Sequence, residues 1–209
     1  MIIMAQMMMK KPPSGLEDGI EKISATQELG LEHALLDRIM LAMNHTIRMA
    51  GKGSKSSLEP CVRGCELIKQ VVDKHHMVME EEEIYPRFEN TKLADLARVL
   101  KDQHTEMRKM VARMENLASK GSDVDELRNT FMDFHDMVMA HAAWEETCLF
   151  PCMEGTWSQS DLDNLKETQE KHEKKLLGED ATMKIYGMVS ELESSAGISG
   201  LKDFTRRAK

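Results

Sequence analysis

Residues 75–86 read HHMVMEEEEIYP, and residues 141–151 read HAAWEETCLFP. With the two prolines aligned, each stretch carries a histidine four positions before a glutamate: His76 with Glu80, and His141 with Glu145. Residues four apart are neighbours on one face of an α-helix. Each stretch therefore predicts a helix that presents an imidazole and a carboxylate side by side.

A single histidine lies on the apolar stripe of the helix that precedes each of these stretches. His33 lies in QELGLEHALLDRIM, and His104 lies in LKDQHTEMRKM. Apolar residues recur around both at spacings of three and four, which is the pattern of a helix face that packs into a core. The chain therefore contains an internal repeat of two helix hairpins, each with one lone histidine and one His-x-x-x-Glu element.

The segments that join these helices are short and contain Gly, Ser and Pro. Apolar periodicity and boundary residues predict helices over residues 26–50, 56–86, 90–120 and 122–151, with two tail helices over 160–177 and 182–194. We predict an all-α, up-down-up-down four-helix bundle over residues 26–153. A disordered leader (1–25) is expected before it, and a C-terminal helical extension packed on the bundle (154–209) after it.

The composition excludes several classes of protein. The 209 residues include only 4% aromatic side chains and 31% charged side chains of mixed sign, which is typical of a soluble helical protein and not of a β-sandwich. The net charge of -8 argues against nucleic acid or an anionic membrane as a partner. The leader lacks the basic start of a secretory signal, and the four cysteines suggest no secreted disulfide framework, so we expect a cytoplasmic protein.

The four apolar faces must meet in one core, so four imidazoles and two carboxylates point into it. A buried carboxylate costs free energy unless it is paired or coordinated, and metal is the simplest way to satisfy these groups. This nitrogen-rich set exceeds one tetrahedral zinc and suits two first-row ions with bridging carboxylates and a shared oxo or hydroxo group. The candidate ligands are His33, His76, Glu80, His104, His141 and Glu145.

The order of these residues resembles the hemerythrin-like family, also called the HHE cation-binding domain, with its pattern of one histidine, then His-x-x-x-Glu, then both again. The resemblance covers roughly residues 26–153, and the ends EEEEIYP and EETCLFP are similar to those of the family. It implies a hemerythrin-like bundle with two non-haem iron ions, or Mn or Zn in their place. The tail is similar to a C-terminal extension found in some bacterial members.

The sequence departs from the oxygen-carrying members at one position and is ambiguous at another. Classical carriers have His-x-x-x-His on the third helix, whereas Arg108 stands four residues after His104 here, which argues against simple reversible oxygen carriage. His75 and His76 are adjacent, and the internal repeat favours His76. Some relatives place the ligand five residues before the glutamate, which selects His75 if the helix contains a π-bulge. The other histidine then becomes a supporting group or an extra ligand.

Other polar and aromatic residues are expected outside the metal chemistry. In the acidic run 80–83, the inner face is expected to carry Glu80 and at most one further residue, Glu83. We expect His172 at the surface or in packing and Tyr85 in packing at the bundle end. The cysteine pairs at 61/65 and 148/152 are expected at opposite ends of the bundle.

Three functions are compatible with these residues. The first is the binding or sensing of a small diatomic ligand, oxygen or nitric oxide, at a carboxylate-bridged di-iron site. The second is an enzyme that acts on hydrogen peroxide or nitric oxide, in a catalase-like or stress-repair role. The third is iron handling. No sequence pattern identifies a protein partner.

Overall fold

The computed structural model describes residues 19, 22–51, 57–198 and 200–204. These ranges contain helices and no strand, which confirms the predicted all-α fold. Most of the predicted leader lies outside the described residues. The helices are α1 (Ala25–Ala50), α2 (59–88), α3 (Ala94–Lys120), α4 (124–156), α5 (Gln159–Leu177) and α6 (Ala181–Ser195). A 3-10 turn over Leu201–Phe204 follows them.

Two of these helices change type along their length. Helix α2 consists of Glu59–Leu67, a π-helical Ile68–His76, Met77–Met79, a π-helical Glu80–Ile84 and a 3-10 turn over Tyr85–Phe88. Helix α4 consists of Val124–Trp144, a π-helical Glu145–Leu149 and Phe150–Thr156. Both halves of the sequence repeat therefore contain a π-helical turn that begins at the glutamate of the His-x-x-x-Glu element.

Local chemistry explains where the helices begin and end. Ser24 and Gln27 form a reciprocal capping box at the start of α1. Residue 56, where the second helix is predicted to begin, lies outside the described residues, and the Ser57 hydroxyl accepts the Glu59 N–H at 3.1 Å. Helix α3 ends at Gly121, whose φ of 62° is the left-handed conformation that glycine adopts without strain.

The fourth helix was predicted to end at Pro151, but it continues to Thr156. The π-helical turn is the reason: the N–H of Phe150 donates to the carbonyl of Glu145, five residues back. A new α-helical segment then begins at Phe150, and Pro151 lies in its first turn, where the missing N–H is tolerated. The predicted bundle boundary at 153 therefore falls inside a helix.

The core is divided into two hydrophobic clusters by a layer of polar side chains. The larger cluster contains Ile39, Val72, Met107, Phe131 and their neighbours, and the smaller one contains Leu29, Ile84, Leu100, Phe150 and theirs. On each of the four bundle helices, a buried histidine lies between the residues of the two clusters. The bundle therefore encloses a polar layer within an apolar interior.

The tail helices pack against the bundle. Helix α6 adds Ile185, Val189 and Leu192 to the larger cluster. The guanidinium of Arg38 on α1 donates to both carboxylate oxygens of Glu193 on α6, at 2.8 and 2.9 Å. Across the described ranges, no helix combines the length and the apolar character needed to cross a membrane.

Candidate metal centre

Four histidines form two close pairs in the polar layer. The Nε2 atoms of His33 and His76 are 3.1 Å apart, and those of His104 and His141 are also 3.1 Å apart. The first pair comes from α1 and α2, and the second pair from α3 and α4. Each half of the sequence repeat therefore supplies one pair of inward-facing nitrogens.

Two fully buried glutamates lie between the pairs. Glu80 places Oε1 at 3.4 Å from His76 Nε2 and Oε2 at 3.3 Å from His104 Nε2. Glu145 places Oε2 at 3.4 Å from His33 Nε2 and at 3.2 Å from His141 Nε2. Each carboxylate thus faces one histidine from each half.

The donor set fits metal ions. Glu80 Oε1 and Glu145 Oε2 are buried and have no hydrogen-bond partner among the described residues. A buried acceptor without a partner costs free energy, and a coordinated cation removes that cost. Two groups of side chains have ligand atoms close enough to hold one ion each: His33, His76, Glu80 and Glu145, and Glu80, His104 and His141.

The outer nitrogen of each of the four histidines also has a partner. The Nδ1 atoms lie close to carboxylate or amide oxygens: His33 to Glu146 at 3.0 Å, His76 to Glu32 at 2.6 Å, His104 to Glu81 at 2.9 Å and His141 to Gln103 at 3.1 Å. An acceptor at Nδ1 fixes the proton there and leaves the Nε2 lone pair directed inward for a metal.

These partners form a ring around the bundle. The partner residue on each of α1, α2 and α3 contacts Nδ1 of the histidine on the next helix, and the partner residue on α4 contacts Nδ1 of the histidine on α1. The sequence reasoning missed all four partners. Each stands directly beside an inner ligand in the sequence, as Glu81 stands beside Glu80 and Gln103 beside His104. That adjacency is the signal that identifies them.

Arg108, which stands where the oxygen carriers have a fifth histidine, has a defined place. Its Nη1 donates to Glu81 Oε1 at 2.8 Å, and its Nε donates to Asp73. Glu81 in turn accepts from His104 Nδ1. Burial opposes ionisation of Glu81, but the contacts with His104 and Arg108 lower the pKa of its carboxyl group. Arg108 therefore supports the orientation of His104 without contacting the centre.

Tyr85 reaches the centre, contrary to its predicted role in packing. Its hydroxyl donates to Glu145 Oε1 at 2.6 Å and lies 3.4 Å from both Glu80 Oε2 and His104 Nε2. The π-helical turn Glu80–Ile84 turns the residue five positions after Glu80 towards the inner face. Burial and the two carboxylates raise the pKa of the phenol well above its usual range, so Tyr85 remains protonated.

The adjacent histidines point in different directions. His76 faces the centre, whereas His75 Nε2 lies 3.1 Å from Glu32 Oε1 and 3.9 Å from Glu173 Oε1 of α5. The alternative that placed His75 at the centre therefore does not match the geometry. His172, expected at the surface or in packing, places its Nδ1 at 2.8 Å from Nδ1 of His75.

When no cation is bound, the pKa values of the two inner carboxyl groups are shifted in opposite directions. Burial, and then the neighbouring Glu145, raise the pKa of Glu80 well above its usual range. Burial also disfavours the Glu145 carboxylate, but contacts with His141 and His33 hold its pKa well below the usual range. Burial alone would lower the pKa of His33, but Glu145 and Glu80 raise it to about 9. Protons thus balance the negative charge, and a bound cation would take their place.

A helical bundle that directs four histidines and two carboxylates into one buried layer belongs to the class of helical cation-binding proteins. The profile of the Hemerythrin HHE cation binding domain matches residues 24–133 and again residues 95–193. The chain therefore belongs to this family. The second match begins at α3, as expected when each half of the bundle carries the same His and His-x-x-x-Glu elements.

Relatives of this chain occur in mycobacteria. Uncharacterized protein Rv1995 of Mycobacterium tuberculosis and Uncharacterized protein Mb2018 of Mycobacterium bovis are each 26% identical to it over 189 residues. The match covers 88% of this chain and 74% of each relative. No solved structure shows a significant match.

Proposed function

We propose that the protein binds two iron ions in its polar layer and uses them to bind or sense a small diatomic ligand, oxygen or nitric oxide. The observation that carries the proposal is the position of the two glutamates. Each lies within 3.4 Å of one histidine from each half-bundle, so one carboxylate can bridge two ions. Mn or Zn is compatible with the same donor atoms.

The two ions would have separate histidines and shared carboxylates. His33 and His76 would hold one ion, His104 and His141 the other, and Glu80 and Glu145 would join them. Bound iron of this kind supplies an open coordination position and the electrons for binding a diatomic molecule. The protein's part is to fix the imidazoles through their Nδ1 partners and to keep the surrounding layer free of bulk water.

The surroundings of the centre favour a small ligand. Glu80 and Glu145 have an exposed fraction of 0%. A surface cavity of about 320 Å³ is lined by Tyr85, Ala97 and Arg98 among others, and Tyr85 also contacts Glu145. A diatomic molecule in this cavity is thus separated from the centre by the Tyr85 side chain. The complete burial of Glu80 and Glu145 supports a ligand as small as oxygen or nitric oxide over a larger substrate.

A second candidate, the disproportionation of hydrogen peroxide, is favoured by Tyr85. Two molecules of peroxide give two of water and one of oxygen, and protons must move between the peroxide oxygens. The Tyr85 hydroxyl holds a proton beside Glu145 in the polar layer and can act as a proton donor there. Nitric oxide reduction and iron handling use the same ligands, but no separate feature favours them.

Metal analysis and spectroscopy test the proposal. We expect anaerobically purified protein to contain about two iron ions per chain and to change its visible absorption when oxygen or nitric oxide is added. Steady-state oxygen release from peroxide distinguishes the second candidate, because a binding protein gives no turnover. If the bound iron responds neither to oxygen or nitric oxide nor to peroxide, both functions are contradicted. Iron storage or a structural role of the metal would then remain. The cytoplasmic location and the absence of nucleic-acid and membrane partners stay predictions from the sequence.

A further inference from the structure

A second group of metal-binding side chains lies outside the centre, where α5 packs against α1 and α2. It consists of Glu32, His75 and Glu173, whose ligand atoms all lie within 4.8 Å of one another. Their exposed fractions are 7%, 2% and 5%. His75 Nε2 is 3.1 Å from Glu32 Oε1 and 3.9 Å from Glu173 Oε1. One imidazole nitrogen and two carboxylate oxygens thus converge on one buried point.

Two of these ligand atoms lack hydrogen bonds. His75 Nε2 and Glu32 Oε1 are fully buried and have no hydrogen-bond partner in the described part of the chain, although they lie close together. Leaving a buried polar atom without a partner costs free energy. Both atoms point into the group, so a cation placed there would satisfy them together.

The other atoms of these side chains are already held. Thr182 donates its hydroxyl to Glu173 Oε2 at 3.0 Å, which leaves Oε1 directed to His75. The Nδ1 atoms of His75 and His172 are 2.8 Å apart, so one of them carries the proton between them. With that proton on His75 Nδ1, its Nε2 presents a lone pair. These contacts orient the ligand atoms in the way that supporting groups orient the ligands of a metal.

A third carboxyl group lies near this point. Glu28 is also buried, and burial followed by the repulsion of Glu32 and Glu173 raises the pKa of its carboxyl group to about 8. A cation bound between Glu32 and Glu173 would reduce this repulsion.

We propose that Glu32, His75 and Glu173 bind a third, single divalent metal ion of the first transition row, separate from the central pair. One nitrogen and two carboxylate oxygens suit Mn²⁺, Fe²⁺ or Zn²⁺. A surface cavity of about 600 Å³ is lined by Glu28, Glu173 and Thr182 among others and provides a path from solvent. The ion ties the tail helix α5 to the bundle.

The proposed site is linked to the centre through one side chain. Glu32 directs Oε1 to His75 and Oε2 to Nδ1 of His76, at 2.6 Å. A cation at Oε1 withdraws negative charge from the group that supports His76. The outer site can be tested whether or not the centre is loaded, because His75 and Glu173 belong only to the outer group.

Equilibrium dialysis of the full-length protein against micromolar Mn²⁺, followed by counting of all first-row metal per chain, tests the site. We expect one ion fewer in Glu173→Gln than in the wild type, because the variant lacks one of the three outer ligands. The central ions should stay, because Glu173 contacts none of the central ligands. Glu167→Gln is the matched control: Glu167 is an exposed glutamate on the same helix that pairs with Lys171, and its loss should leave the count unchanged.

The count separates this proposal from the central one. If the centre fails to load, wild-type protein still binds one ion that Glu173→Gln loses. Equal metal content in wild type and Glu173→Gln overturns the third site, whatever the centre holds. Should Glu173→Gln fail to fold, His75→Gln takes its place. Anomalous scattering from Mn²⁺-soaked wild-type crystals checks the position: a peak beside His75 Nε2 supports the proposal, and its absence overturns it.

Discussion

The first half-bundle, α1 with α2, and the second, α3 with α4, each give two histidines and one glutamate to the centre. Around these ligands the halves differ. His76 faces the buried carboxylate of Glu32, whereas the equivalent His141 faces the neutral amide of Gln103. The position of Tyr85 in the first half corresponds to Phe150 in the second, which has no hydroxyl. The Phe150 ring stacks on His33 with ring centroids 6.0 Å apart.

The sequence repeat preserves the ligands but not their surroundings. Both histidines of the first half have carboxylate partners, Glu146 and Glu32. In the second half, one partner is an amide and the other, Glu81, shares its charge with Arg108. Because a carboxylate at Nδ1 makes an imidazole a stronger ligand, we expect the first half to hold its ion more tightly.

The largest effect is expected where the halves meet. Glu145→Gln removes a carboxylate that contacts His33 and His141, one from each half. We expect the central iron content to fall from about two ions per chain to one or none, because both ions lose a ligand. Iron analysis of anaerobically purified protein measures this. His135→Ala is the control, since His135 contacts Asp136 and lies outside the centre; full iron content in Glu145→Gln contradicts the bridging role.

The next effect tests the difference between the halves directly. Glu32→Gln removes the charged partner of His76 and should weaken central metal binding about 10- to 100-fold, the usual cost of losing such a support. Gln103→Ala removes a neutral partner of His141, and we expect a smaller loss. Competition with a chelator compares the two. Glu173→Gln shows how much of the Glu32 effect comes through the outer group, and equal losses in Glu32→Gln and Gln103→Ala contradict the asymmetry.

Tyr85→Phe makes the first half resemble the second, which has Phe150 at this place. The change removes the hydroxyl donor to Glu145 Oε1 and leaves that buried oxygen without it. We expect the free energy of unfolding of the metal-free protein to fall by about 1–3 kcal/mol. Urea denaturation measures it, and Tyr186→Phe, on the tail helix α6, is the control. An unchanged stability means that the Tyr85 hydrogen bond is not formed in solution.

The smallest effect is expected at Arg108. Arg108→Ala removes a half-buried ion pair with Glu81. This ion pair reaches the centre only indirectly, because Glu81 contacts His104. Ion pairs near the surface contribute about 0–1 kcal/mol, so we expect no more than about a fivefold loss of metal affinity. Isothermal titration with Mn²⁺ compares it with Arg98→Ala, which removes only exposed ion pairs on the same helix. A loss as large as that in Glu32→Gln would mean that the second half depends on charge as strongly as the first.

The inner side chains could be predicted because helix geometry alone relates them. A four-residue spacing brings His76 beside Glu80 and His141 beside Glu145, and the repeat places the second half by analogy with the first. The choice between His75 and His76 needed the structure, because α5 covers the other face of α2 and both histidines are buried. The position of that tail helix is a long-range property that local periodicity does not contain.

The missed groups have a different cause. Tyr85 lies five residues after Glu80, outside the α-helical face, and only the π-helical turn brings it inward. No residue pattern in the sequence predicts that π-helical turn. The Nδ1 partners depend on how each helix is rotated against its neighbour. This rotation brings Glu81 to the outer nitrogen of His104, whereas the sequence predicts only Glu80 and Glu83 near the inner face. The helix end at Pro151 was misplaced for the same reason as Tyr85, because a π-helical turn restarts the hydrogen-bond pattern.

Iron-edge anomalous diffraction from crystals of anaerobically purified protein tests the central claim most directly. The account predicts two iron peaks in the polar layer, one beside His33 and His76 and one beside His104 and His141, with Glu80 and Glu145 between them. A single peak there, or iron only outside this layer, would contradict it.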